Sequence, residues 1–196
     1  AAVKRASLAG ELERAVDIAQ SLGAAAGTLG IDVFGRLAGV WFSAGPLLRL
    51  GRFEEVLAQP QAFDFVPWAK AAWAFAQASA GRLEEAKGLA RRVMAERNVG
   101  PEEDWTGGDT LIFLMQTAVT CGDAEMAEVL SRRLAGVEEW YCRGATVARL
   151  LGQAALLLGD PKGARAHFAT ALEVAQRVGD RPETAAVRFH LARVLF

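Results

Sequence analysis

The chain has 196 residues with 22 basic and 23 acidic side chains, a net charge of −1, and 52% hydrophobic against 23% charged residues. This is a globular balance with enough chain for a substantial core, and it excludes a disordered segment. It lacks the basic excess needed to neutralise a phosphate backbone, so no nucleic-acid partner is expected.

The opening AAVKRASLAGELERA has neither a long apolar core nor a cleavage pattern, so it does not read as a signal peptide. No apolar run approaches the roughly 20 residues of a membrane helix, and no membrane partner is expected. Two cysteines, Cys121 and Cys142, are too few for a disulfide framework and indicate a reducing, cytoplasmic setting. There is no initiator methionine, and FHLARVLF stops in mid-pattern. Residues 1–196 therefore read as a single domain cut from a longer protein.

Along the chain, apolar residues recur three and four apart, as in AKAAWAFAQA, AEMAEVLSRRL and VARLLGQAALLL, which predicts helices almost throughout. The breaks are short and carry glycine: AGELERA at Gly10, LGRFEEV at Gly51, AGRLEEA at Gly81, CGDAEMA at Gly122 and LGDPKGA at Gly159. Five positions after each glycine stands Ala15, Val56, Ala86, Ala127 or Ala164. A helix-turn-helix unit repeating at such intervals predicts an α-solenoid, in which stacked units share one core. The expected architecture is about five helix pairs plus a terminal helix near residues 182–196.

Gly159-Asp160-Pro161-Lys162-Gly163 invites comparison with a phosphate-binding loop. That loop needs Gly-Lys-Ser/Thr after a strand, whereas here the lysine precedes the glycine and helices flank it. The segment predicts a turn, with Gly159 ending one helix, Asp160 capping the next and Pro161 in its first position.

These residues resemble the tetratricopeptide repeat signature. Its small eighth residue corresponds to Ala44, Ala74, Met115, Gly152 and Ala192, and its small twentieth residue to Ala15, Val56, Ala86, Ala127 and Ala164. Phe168 and Ala171 match the later pair in the clearest copy, whereas Met115 and Val56 are large for their places. Units longer than the usual ~34 residues look similar to the arrays of large bacterial signal-transduction and transcriptional regulators. The resemblance implies an all-α, right-handed superhelix acting as a non-enzymatic protein-interaction scaffold. A small-molecule-sensing domain in a multidomain activator or cyclase-linked protein is the alternative.

Catalytic and metal chemistry is not legible. There is no CxxC, HExxH or dinucleotide fingerprint, and His167 and His190 are isolated. In WFSAG, Trp41 stands where a nucleophile elbow needs glycine, and Pro46 is expected to kink or restart that helix. Neither cofactor nor metal is expected. The acidic run Glu102-Glu103-Asp104 before Trp105 reads as a solvated connector leading into a helix.

Repeat register places Trp41, Phe42, Trp68 and Phe75 on the inner concave face, followed by Asp109, Phe113, Gln116, Arg149, Gln153, His190 and Arg193. The groove is thus expected to be aromatic in its first half and polar with a basic tendency in its second. Core packing competes for Trp68 and Phe75. The expected partner is a protein or peptide in this groove, with a small-molecule effector as the alternative. The apolar face from Phe189 to Phe196 is a candidate for homodimer formation.

Overall fold

The computed structural model describes residues 1–28, 32–59, 66–102 and 106–195. Glu103, Asp104 and Trp105 of the acidic connector lie outside the described residues. The chain is an all-α helical repeat. Its elements are α1 (Ala2–Ala9), α2 (Leu12–Thr28), α3 (Asp32–Arg49), α4 (Phe53–Leu57), α5 (Pro67–Ser79), α6 (Leu83–Arg97), α7 (Gly108–Cys121) and α8 (Ala124–Leu134). A short hairpin follows, β1 (Tyr141–Cys142) with β2 (Ala145–Thr146), then α9 (Val147–Leu157), α10 (Pro161–Val178) and α11 (Arg181–Leu195).

The pairs α1/α2, α3/α4, α5/α6, α7/α8 and α9/α10 turn at the five glycines singled out above, and α11 is the last helix. At Gly159 φ is 81°, a left-handed conformation that a side chain would strain. Asp160 then accepts the Gly163 amide at 2.9 Å and Pro161 opens α10, so the glycine-rich segment is a capped turn. Asp123 caps α8 in the same way, accepting from Met126 at 3.1 Å.

Packing follows the repeat register. Ala15, Val56, Ala86, Ala127 and Ala164 are all buried, as are Ala44, Ala74, Met115 and Gly152; Ala192, in the last copy, is exposed. A Cβ on Gly152 would lie 2.6 Å from the ring of Phe168, so the missing side chain is the space that ring occupies. The main core runs from Val16 of α2 to α9 and is deepest at α7, where Ile112, Phe113, Leu114 and Met115 are consecutive buried residues. α3 continues through Pro46 as one helix. The proline, having no N–H, leaves the carbonyl of Phe42 without its usual intrahelical donor.

α1 packs against α11, and Gly10 lies near Pro182. The two ends of the array therefore approach each other, and the concave side is enclosed rather than open along its length.

Candidate functional site

The inner faces of α3, α5, α7, α9 and α11 surround a cavity of about 300 Å³. Phe75 and Phe113 form its apolar wall, with ring centroids 6.4 Å apart. Gln116, Arg149, Gln153 and Glu183 supply its polar lining, together with Arg49 from α3 and Arg143 from the hairpin.

Each charge is held by a specific element. Thr146 caps α9, accepting from the Arg149 amide at 3.3 Å. Asp180 begins α11, accepting the Glu183 amide at 2.9 Å, and this places Glu183 one turn in. Glu183, 2% exposed, accepts from the Thr146 amide at 2.7 Å, the Thr146 hydroxyl at 2.9 Å and Arg149 Nε at 2.9 Å. Arg149 Nη1 donates to Gln153 Oε1 at 2.8 Å. A buried carboxylate is tolerable only when so many donors face it. Gln116 Oε1 is buried without a hydrogen-bond partner.

Contacts across the groove are equally specific. Arg49, at the end of α3, donates to Asp180 at 2.6 Å and to the carbonyl of Gly144. Asp180 also accepts from the Tyr141 hydroxyl. Burial, and then this carboxylate, push the Tyr141 phenol well above its ordinary range and keep it a donor.

The hairpin carries the most unusual residue. Arg143 has φ 53° and Gly144 has φ 80°, the double left-handed turn that a two-residue antiparallel hairpin favours. A non-glycine residue there carries strain, offset here by its side-chain bonds. The Arg143 guanidinium lies 3.6 Å from the centre of the Trp41 ring and 4.9 Å from that of Trp68. It donates to the Trp41 carbonyl at 2.9 Å and to Asp109 at 3.3 Å. Burial lowers its pKa, and Asp109 opposes the shift. At Gly144 the left-handed backbone strains any side chain, and a Cβ would lie 2.7 Å from the Arg49 guanidinium and displace it.

On the far side of the hairpin lies a shallower trough of about 580 Å³, bounded by α1, α3 and the start of α7. Phe42, 44% exposed, and Trp140, 54% exposed, stand on its walls, with Lys4 and Ser7 on the α1 side.

The residues expected to line one groove therefore divide. Gln116, Arg149, Gln153, Phe75 and Phe113 meet at the cavity, and Trp41, Phe42 and Asp109 at the trough. Trp68, 7% exposed, is packed edge-on against Trp41 in the core. His190 stacks on buried Phe168 at 5.4 Å, away from both cavities, and Arg193 is exposed beside Phe189.

Arg49, Arg143, Tyr141, Asp180 and Glu183 were not anticipated. Asp180-Arg-Pro-Glu183 is a capping-box spacing and marks Glu183 as an inward N3 residue. The hairpin residues have no comparable signal. Both thiols, Cys121 and Cys142, have pKa values raised by burial. Among the described residues no group of three or more His, Cys, Asp or Glu is placed to hold a metal ion, and no helix is long and apolar enough to cross a membrane.

Residues 145–196, which comprise β2, α9, α10 and α11, match the tetratricopeptide repeat family model. The match covers about a quarter of the chain and supports a tetratricopeptide repeat at this end. No curated protein and no solved structure matches the chain. Tetratricopeptide repeats generally mediate protein–protein interaction and are typically non-catalytic. The matched repeat supplies Arg149, Gln153 and Glu183 to the cavity, while the aromatic trough is built outside it.

Proposed function

We propose that the chain is a non-enzymatic interaction module that docks a protein partner at the aromatic trough, within a bacterial regulatory protein of the cytoplasm. The observation that carries the reading is the pair of exposed aromatics, Phe42 and Trp140, on the walls of one concavity. Large aromatic side chains bury much area at little entropic cost and dominate interface energetics. Because Arg49, Arg143 and Asp180 bridge the groove, a partner engages this end rather than lying along the whole concave face.

The test compares proteins retained by the chain with those retained by a Phe42→Ala/Trp140→Ala variant and by Phe189→Ala, a control that also removes an exposed aromatic. A partner held by wild type and control but lost from the double variant, with melting temperature unchanged, fits the reading. A partner lost equally from the control points instead to α11. There Phe189 and Leu195 are exposed, and the expected homodimer would form; light scattering of Phe189→Ala against wild type checks that directly.

A second reading, a small-molecule-sensing regulatory domain, is favoured by one observation: Gln116, Arg149 and Gln153 converge on a cavity rather than on an open groove.

A further inference from the structure

We infer that the central cavity binds a small organic carboxylate with a short apolar body and a hydrogen-bond donor; this rests on the second reading above.

Size comes first. About 300 Å³ is at the small end of ligand cavities, enough for a metabolite-sized molecule and too small for a peptide segment. Charge comes next. The lining holds three arginines, Arg49, Arg143 and Arg149, against one carboxylate, Glu183. The other two acids that answer these arginines, Asp109 and Asp180, are not part of the lining. Each arginine is ion-paired, Arg49 with Asp180, Arg143 with Asp109 and Arg149 with Glu183, so the recess is balanced in charge, and what it offers a ligand is the guanidinium donors these pairs leave over.

The hydrogen bonding has room for an anion. Among the described residues, Arg49 bonds through Nη2, and Arg149 through Nε and Nη1. That leaves Nη1 of Arg49 and Nη2 of Arg149 without a protein acceptor. A planar carboxylate matches guanidinium donors well. A phosphate dianion fits worse, because Glu183 already brings one negative charge to the same wall.

The remaining walls define the rest of the ligand. Phe75 and Phe113 offer an apolar surface to a short chain or a small ring. Gln116 Oε1 is a buried acceptor without a partner, an unfavourable state for a polar atom. Gln116 lines the cavity, and a turn of its amide toward the space would let a hydroxyl or amino group on the ligand satisfy that oxygen. The fitting class is thus a hydroxy- or amino-carboxylate.

The experiment titrates the chain with a panel running from acetate to phenyl-substituted hydroxy acids, each beside its neutral amide, and with inorganic phosphate. Calorimetry and thermal shift are read on wild type, Gln116→Leu and Arg149→Lys. Gln116→Leu removes the unpartnered acceptor and nothing that it holds, so it should fold as well as wild type. The expected result is saturable binding of a hydroxy- or amino-carboxylate but not of its amide. Gln116→Leu should weaken that binding roughly tenfold, one hydrogen bond to a buried group, and Arg149→Lys should weaken carboxylates without a donor as well. Equal binding of acids and amides, tighter binding of phosphate, or no effect of Gln116→Leu overturns the carboxylate while leaving a small-molecule site. Binding of nothing in the panel overturns both this inference and the sensing reading beneath it.

Discussion

The α2–α3 pair and the α9–α10 pair solve one packing problem with opposite residues. In α9–α10 a small residue faces a large one: Gly152 makes the space into which Phe168 fits, and the ring is fully buried beneath His190. In α2–α3 small faces small. Gly23, Gly35 and Gly39 meet each other and Ala26 along the seam, and a Cβ on Gly35 would lie 2.1 Å from the Ala26 Cβ. The first arrangement derives its stability from one large apolar side chain, the second from two backbones held close over a long contact. The tetratricopeptide match covers residues 145–196, and so it includes the first kind of seam and not the second. Helix pairing is shared by the two regions; the residue pattern that a family model recognises is not.

The sharpest way to break the comparison is Phe168→Ala. It empties a fully buried site between α9, α10 and α11 and should cost about 3–5 kcal/mol by chemical denaturation, at the upper end of core truncations. Among the described residues α2–α3 bury no aromatic ring, and their largest core side chains are Leu47 and Leu48, so most truncations there should cost less. If Val16→Ala, the largest such change in α2, proved equally damaging, the two seams would be alike.

Enlarging a glycine gives the next largest effect and separates the regions by sign. Within a helix, Gly→Ala normally stabilises by about 1 kcal/mol. Gly35→Ala should instead destabilise by roughly 1–3 kcal/mol, since Ala26 and the Gly23 carbonyl at 3.0 Å cannot both yield without parting the helices. Gly45, on the same helix, has nothing within 4 Å of its would-be Cβ, and Gly45→Ala should gain about 0.5–1 kcal/mol. Thermal denaturation of both variants decides it, and a gain at Gly35 would mean that the close seam is not formed.

The same contrast explains what was legible in the sequence. The five turn glycines, the Asp160 cap and the small residues at Gly152 and Ala164 all follow from local chemistry and a regular interval, and with them came the inner-face positions of Gln116, Arg149 and Gln153. The glycines of α2–α3 carry no such message, because a glycine inside a helical pattern reads as a weakness until its partner helix is known. Trp68 was ambiguous for a related reason. Its helix is apolar all round, with Trp68, Ala69, Ala71, Ala72 and Trp73 all buried, so period alone does not say which side faces inward. The hairpin was illegible because two-residue strands have no periodicity. Arg49 and Asp180 meet across 131 residues of sequence, a pairing that only the closed array creates.

Acid provides the gentlest probe, read through a histidine, and neither of the chain's two histidines lies in α2–α3. His190 is held against Phe168, and its pKa is lowered to about 4, first by burial and then by Arg149 and Arg193, with Glu183 opposing. The unfolded chain, with an ordinary histidine near 6.5, takes up a proton before the folded one does. Stability is therefore intact above about pH 6.5 and declines as pH falls toward 4, where the folded ring also protonates. For a ring that keeps some solvent contact the loss should be roughly 1 kcal/mol. A His190→Phe variant preserves the stacked ring, and the difference between it and wild type isolates the histidine from carboxylates that titrate nearby. If the two stability curves run parallel from pH 7 to 4, His190 is not confined against Phe168, and the seam between α10 and α11 is looser than the packing around Gly152 implies.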